Sequence, residues 1–256
     1  MSQAGTDSAT ENSAGKGTLR VVQLYPRDMN IYGDRGNVIA LRRRAEWRGI
    51  PAEVHEIGLG DPIRPHVDLF FWGGGQDQEQ DAVARDMAGD KGKTLRAAVD
   101  DGAALLAVCG GYQLLGHEFR PHAAAPQPGI GLFDAVSIAG PERFIGNVVV
   151  DSQWGELVGF ENHSGLTTLG PAAQPMGRVR IGRGNNGRDG TEGAIYRNAV
   201  GCYLHGSVLP KNPALADWLI ARALERRHGH VELEPLPTPL EDAARESAIA
   251  RAKATR

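Results

Sequence analysis

The six residues Ala103-Ala104-Leu105-Leu106-Ala107-Val108 carry no polar side chain. A strand of that composition has no face to show to water, so it belongs inside a parallel sheet covered on both sides. Layers of helix supply that cover, and the chain is therefore expected to fold as a layered α/β protein. The first half of the sequence agrees. Leu19–Tyr25, Ala52–Ile57 and Val67–Trp72 read as further apolar strands rich in β-branched and aromatic residues. Asn37–Gly49 reads as a helix, with Val38, Ile39, Leu41, Ala45 and Trp47 as its apolar face and Gly49 as its stop. Residues 76–88 and 93–100 read as two more helices. Strands alternating with helices predict a doubly wound core around a mostly parallel sheet.

From about residue 130 to 205 the texture changes. Short β-like runs, Phe144–Val150, Val179–Ile181, Ala194–Tyr196 and Val200–Leu204, are separated by Gly and Asn, which predicts an antiparallel edge. Pro213–His228 reads as a helix with Leu215, Trp218, Leu219 and Leu224 on one face. The expected organisation is a tail over 1–18, one domain over 19–230, and a charged tail or surface helix over 231–256. The first 18 residues are polar and small, lack the apolar stretch of a signal peptide, and read as disordered.

Composition removes several classes of function. With 28 basic and 31 acidic side chains the net charge is −3, which leaves no electrostatic footprint for nucleic acid. No run approaches the ~18 apolar residues of a membrane span. Two cysteines exclude a disulfide scaffold and fit a reducing, cytoplasmic compartment. Gly92-Lys93-Thr94 looks like the end of a phosphate-binding loop, but Met87 stands where that pattern needs glycine and the preceding segment reads as helix. No nucleotide site of that kind is expected.

The chemistry gathers where the apolar strand ends, at Cys109-Gly110-Gly111. Strand, nucleophile, small residues and helix make a nucleophile elbow: a sharp turn exposes the reactive atom, and small neighbours let the backbone close. The following helix favours thiolate over thiol, and the Gly110 N–H is placed to stabilise an oxyanion. The competing reading is a buried structural cysteine, which the two glycines disfavour. A cysteine nucleophile needs a base. Of the eight histidines, six lie in loops or chain ends where solvation explains them. His205 ends the run Val200–Leu204, at the C-terminal end of a strand where α/β enzymes build their sites. Glu161 and His163 share one face of a strand, which suits a structural hydrogen-bonding pair near the site better than a metal. No metal is expected.

Cys109, Gly111 and Gln113 after an apolar strand resemble the C-x-G-x-Q elbow of class I glutamine amidotransferases. That resemblance implies a three-layer, flavodoxin-like fold and a cysteine that attacks the side-chain amide of glutamine. It also implies a substrate-holding role for Gln113 and a second oxyanion donor from the Gly73-Gly74-Gly75 loop, assigned to Gly74. Tyr203-Leu204-His205-Gly206 and Gly159–Gly165 resemble the cobyric-acid-synthase-like branch in particular. Arg143 is carried over as the clamp on the substrate α-carboxylate, for which a guanidinium fork is suited. Many relatives place glutamate two residues after the histidine, where this chain has Ser207. Either a dyad suffices, or a partner supplies a carboxylate.

Asn30–Asn37 together with these segments resembles one free-standing subfamily, the glutaminase subunits of lipid II isoglutaminyl synthases, over about residues 19–215. The resemblance implies a heterodimer with a Mur-ligase-like subunit that holds ATP and Mg²⁺, with no cofactor in this chain. The partner would activate the α-carboxylate of D-glutamate in lipid II, and ammonia from this chain would amidate it, at the inner membrane face but without insertion. Three alternatives stay open. They are an amidotransferase subunit serving a corrinoid-type ligase, a peptidase or γ-glutamyl hydrolase on the same elbow, and a non-catalytic regulatory subunit.

Overall fold

The computed structural model describes residues 17–31 and 34–255. The expected N-terminal tail lies almost wholly outside the described residues, as do Tyr32 and Gly33 of the Asn30–Asn37 motif. In chain order the first half contains β1 (Leu19–Leu24), α1 (Arg35–Glu46), β2 (Ala52–Ile57), β3 (Leu69–Trp72), α2 (Asp77–Met87), α3 (Asp90–Asp100), β4 (Ala104–Val108) and α4 (Gly110–Leu115). The middle contains β5 (Glu118–Arg120), β6 (Gln127–Pro128), β7 (Ala135–Ser152), β8 (Gly155–Leu169), β9 (Gly177–Ile181), β10 (Thr191–Glu192), β11 (Ala194–Tyr196) and β12 (Ala199–Cys202). Three helices close the chain: α5 (Val208–Lys211), α6 (Pro213–His228) and α7 (Pro239–Ala254).

The first sheet runs β11-β12-β4-β3-β1-β2. Its pairings are parallel except at β11, which is antiparallel to β12, so the antiparallel edge is where the sequence places it. Every residue of β3, β4 and β12 is buried, as strands covered on both faces must be. Helices α1 and α6 pack on each other and over this sheet, and α4 packs separately on β4 and β12. The buried apolar face of α1 is Val38, Leu41 and Ala45, three and four residues apart. Ile39 and Trp47, which the sequence put on that face, are 53% and 61% exposed. Ile39 lies a helical step off the stripe, and Trp47 falls at the C-cap, past the last full turn. Arg44 takes a place on the buried side instead, and forks onto Asp217 of α6 at 2.7 and 2.8 Å.

The second sheet, β10-β9-β7-β5-β6 with β8 also on β7, corrects the expectation of short separate runs. Strands β7 and β8 form one long hairpin, closed at Ser152 and Gly155, whose φ of +88° is easy only for glycine. The ladder breaks between Ala139 and Phe144, and this irregularity places Arg143. An isolated bridge links the two sheets near the site: Phe160 of β8 and His205, just past β12, exchange both backbone hydrogen bonds, at 3.2 and 2.9 Å. Helix α7 lies over the hairpin, where Ala252 packs on Val149 and Val158. Among the described residues, no helix is long and apolar enough to cross a membrane.

Candidate active site

Cys109 sits between β4 and α4 with φ +53° and ψ −108°. A side-chain-bearing residue held there costs on the order of 1–3 kcal/mol, a strain typical of functional turns. The neighbours show what enforces it. A β-carbon at Gly111 would lie 2.8 Å from Trp72 Cγ and 2.9 Å from the Trp72 carbonyl oxygen, so only glycine fits. The Gly111 N–H donates to the Gly73 carbonyl at 3.2 Å, which ties the elbow to the glycine loop. The Gly110 N–H opens the first turn of α4, where no intrahelical acceptor exists.

His205 reaches the same spot from just past β12, the strand paired with β4 in the same sheet. A β-carbon on Gly74 would meet Cys109 Cβ at 3.2 Å and His205 Cε1 at 3.4 Å, so both side chains face that glycine. His205 is buried, and desolvation pushes its pKa down to about 3, with the nearby His163 and Arg143 adding in the same direction. The ring is therefore neutral at ordinary pH. The residue two further on, Ser207, holds a left-handed φ of +48°.

Gly74 is in place, but its N–H does not point into the site. It donates to Asp34 Oδ2 at 2.8 Å, while its carbonyl accepts from the Ile31 N–H at 3.3 Å. Asp34 is fully buried, and burial raises its pKa to about 7. The oxyanion role assigned to Gly74 therefore meets a competing acceptor. Its neighbour Gly75 lines the cavity beside Cys109.

That cavity measures about 310 Å³ and is lined by Cys109, Gln113, Arg143, Gln80, Asn162 and His163, among others. Arg143 sits at its rim, with Nη1 donating to Asn162 Oδ1 at 3.0 Å and enough exposure to turn toward a ligand. Gln113 is held at both ends: Oε1 accepts from Gln80 Nε2 at 2.9 Å, and Nε2 donates to the Tyr203 hydroxyl at 3.1 Å. His163 stacks flat on Tyr203, 3.6 Å between ring centroids. Its Nδ1 lies 2.8 Å from the Gly165 carbonyl oxygen, which can only accept, so the proton is on Nδ1. Burial holds the His163 pKa down to about 4. Glu161 accepts the backbone N–H groups of Arg183 and Gly184 at 2.9 and 3.0 Å. It braces a loop, as a structural role would have it.

The sequence reading missed Gln80, Asn162, Asp34 and Tyr203 as parts of the site. Asp34, Asn162 and Tyr203 stand in the segments Asn30–Asn37, Gly159–Gly165 and Tyr203–Gly206, but nothing in those segments declares their partners, and Gln80 stands in no motif. Gly92-Lys93-Thr94 lies inside α3, not in a strand-to-helix loop. Among the described residues, no group of three or more His, Cys, Asp or Glu side chains is placed to hold a metal.

A profile of the CobB/CobQ-like glutamine amidotransferase domain matches residues 20–213. The chain is 39% identical over 237 residues to the lipid II isoglutaminyl synthase (glutamine-hydrolyzing) subunit GatD of Staphylococcus aureus, spanning 91% of this chain and 96% of that one. It is 36% identical over 215 residues to the corresponding subunit of Streptococcus pneumoniae, spanning 82% of each. Among solved structures, a glutamine amidotransferase from Thermotoga maritima superposes with a TM-score of 0.52 at 15% identity, over 91% of this chain and 94% of that one. That last likeness is one of fold alone.

Proposed function

The chain belongs to the CobB/CobQ-like glutamine amidotransferase family, and from that membership we propose that it is the glutaminase subunit of a lipid II isoglutaminyl synthase. The observation that carries the chemistry is Cys109 on a strained elbow, with His205 facing the same glycine at the edge of a cavity. Neutral His205 takes the thiol proton, and the sulfur attacks the δ-carbon of L-glutamine. The negative charge that builds on the carbonyl oxygen is met by the Gly110 N–H, and by Gly74 once that amide leaves Asp34. Collapse of the adduct breaks the C–N bond. His205 returns its proton to the nitrogen, and ammonia leaves a γ-glutamyl thioester on Cys109. Water, deprotonated by His205, then cleaves the thioester to glutamate and free thiol.

Arg143 supplies the fork for the α-carboxylate of glutamine, and Gln113 a carboxamide beside it. The ammonia serves a Mur-ligase-like partner subunit, which uses ATP and Mg²⁺ to activate the D-glutamate α-carboxylate of lipid II for conversion to D-isoglutamine. This chain meets the inner membrane face only through that partner. The likeness to glutamine-hydrolysing subunits over nearly the full length of both chains supports this reading.

Ammonia release from L-glutamine, by the chain alone and with its Mur-ligase-like partner, is the test. Release that vanishes in Cys109→Ala while Tm holds is the expected result, with stimulation by the partner. An unchanged rate in Cys109→Ala would remove the nucleophile. Release that never responds to the partner would detach the chain from lipid II amidation.

A further inference from the structure

We propose that Gln80 is a positioning residue for substrate recognition, because it alone decides which way round the Gln113 carboxamide sits. The proposal rests on the reading above, in which Gln113 touches glutamine. Gln80 lies on α2, buried to 1% exposure, and lines the cavity. Its Nε2 donates to Gln113 Oε1 at 2.9 Å. On the far side, Gln113 Nε2 meets the Tyr203 hydroxyl at 3.1 Å. That hydroxyl lies 2.7 Å from Thr167 Oγ1, which lies 2.7 Å from Ser137 Oγ.

The donor inventory makes the asymmetry plain. A carbonyl oxygen only accepts and an amide nitrogen only donates, whereas a hydroxyl does either. The row Tyr203–Thr167–Ser137 can run in both directions, so it satisfies Gln113 whichever way the carboxamide points. Only Gln80 discriminates.

The orientation of Gln80 is set in turn by Gly110. A β-carbon there would lie 2.8 Å from Gln80 Oε1, so this oxygen occupies the space that a side chain at Gly110 would need. A carbonyl oxygen there can take a weak contact from the Cα hydrogens, whereas an N–H₂ would set hydrogens against hydrogens. Gly165 walls the other end, since a β-carbon there would overlap Gln113 Nε2. The cavity therefore presents a fixed N–H on the Gly165 side of Gln113 and a fixed lone pair on the Gln80 side. A ligand with donors and acceptors reversed sets donor against donor and acceptor against acceptor at the spare N–H and spare lone pair of Gln113, which is how a polar site rejects the wrong partner.

Gln80→Glu tests this with almost no change of shape. As a carboxylate, the new side chain cannot donate to Gln113 Oε1, and the carboxamide must turn over. As a carboxylic acid it can donate, and the native orientation returns. Glutamine affinity is measured by calorimetry in the Cys109→Ala background, with KM and kcat measured alongside in chains that keep Cys109. The measurements run from pH 5.5 to 8.5. Gln80→Leu serves as the variant that never donates.

The expected result is a ratio of variant to wild-type Kd, and of KM, that climbs at least tenfold across that range for Gln80→Glu. For Gln80→Leu the ratio is high and flat. The change falls on KM more than on kcat, and Tm stays level. A ratio near one at every pH for both variants overturns the role of Gln80. So does a loss of affinity that tracks Tm instead of pH. A wild-type chain that neither binds nor hydrolyses glutamine overturns the function itself, and this inference with it.

Discussion

Burial keeps His205 in the neutral form that can take a proton down to low pH, and the same lowered pKa makes it a weaker base. A histidine left at its ordinary pKa would titrate near 6.5 and lose half its basic form there. Here desolvation, with His163 and Arg143 nearby, holds the pKa at about 3. The acid limb of kcat/KM is therefore expected well below pH 5. An inflection near pH 6.5 in the pH–rate profile would show that the ring is solvated in the working enzyme. Arg143 has two effects at this scale. Its fork is placed for the substrate carboxylate, and a charge-assisted hydrogen bond contributes about 1.5–3 kcal/mol. Arg143→Ala should raise KM for glutamine by about tenfold to a hundredfold, since each 1.4 kcal/mol is tenfold. Losing that positive charge also lets the His205 pKa rise. Steady-state kinetics in which both KM and the acid limb stay put would deny the residue both roles.

At the scale of elements, the elbow is an assembly of four pieces, β3, the glycine loop, β4 and α4, and Gly111 is where they touch. A β-carbon at Gly111 meets the Trp72 ring at 2.8 Å and backbone oxygens of Trp72 and Gly73 at 2.9 and 3.0 Å. Backbone cannot step aside as a flexible side chain can, and overpacking of this sort costs about 1–3 kcal/mol. Gly111→Ala is expected to lower Tm by several degrees and to remove glutaminase activity, because relief must come from moving Cys109 or the Gly73–Gly75 loop. A variant with full activity and unchanged Tm would mean that the elbow has slack. This piece of the molecule was legible in the sequence because its physics is local: an apolar strand, then a nucleophile, then residues too small to block a turn. The hairpin of β7 and β8 was not. The sequence shows only a short run, Phe144–Val150, in this stretch, because Gly and Asn are residues that usually separate strands. In the structure Gly159 and Gly165 instead make room for Leu204 and Gln113 across the sheet. Gln80 was equally silent, since a glutamine in an amphipathic helix announces nothing until Gln113 stands beside it.

Across the whole molecule the two sheets converge on the site, and the convergence buries acids and histidines together, with opposite effects on stability. Asp34 has its pKa raised to about 7 and Glu192 to about 8, both mainly by desolvation. An acid raised in the folded state lends stability that is complete below its unfolded pKa near 4, and is lost as pH climbs through the folded value. His163 and His205, lowered to about 4 and about 3, behave in reverse. Their contribution is complete above about 6.5 and is lost as pH falls toward the folded values. Between about pH 4.5 and 6.5 the two pairs oppose, and stability should be nearly level. Above 6.5 the histidines are neutral in both states and have no further effect. The acids then act alone, at about 1.4 kcal/mol per pH unit for each proton that the folded state still retains. Tm is thus expected to hold from pH 5 to 6.5, to fall between about 6.5 and 8, and to flatten beyond until the buried Cys202 thiol, held well above its ordinary range by desolvation, begins to act above about pH 8.5. Glu192→Gln keeps a carbonyl for the Tyr203 N–H that now donates at 2.6 Å, and removes the titration. In that variant the fall should end near pH 7, where Asp34 finishes, instead of near pH 8. Thermal melts across pH 5–9 on both proteins decide it. A wild-type Tm that rises steadily to pH 9 would show that neither acid is held neutral by the fold, and would place water where the two sheets are packed.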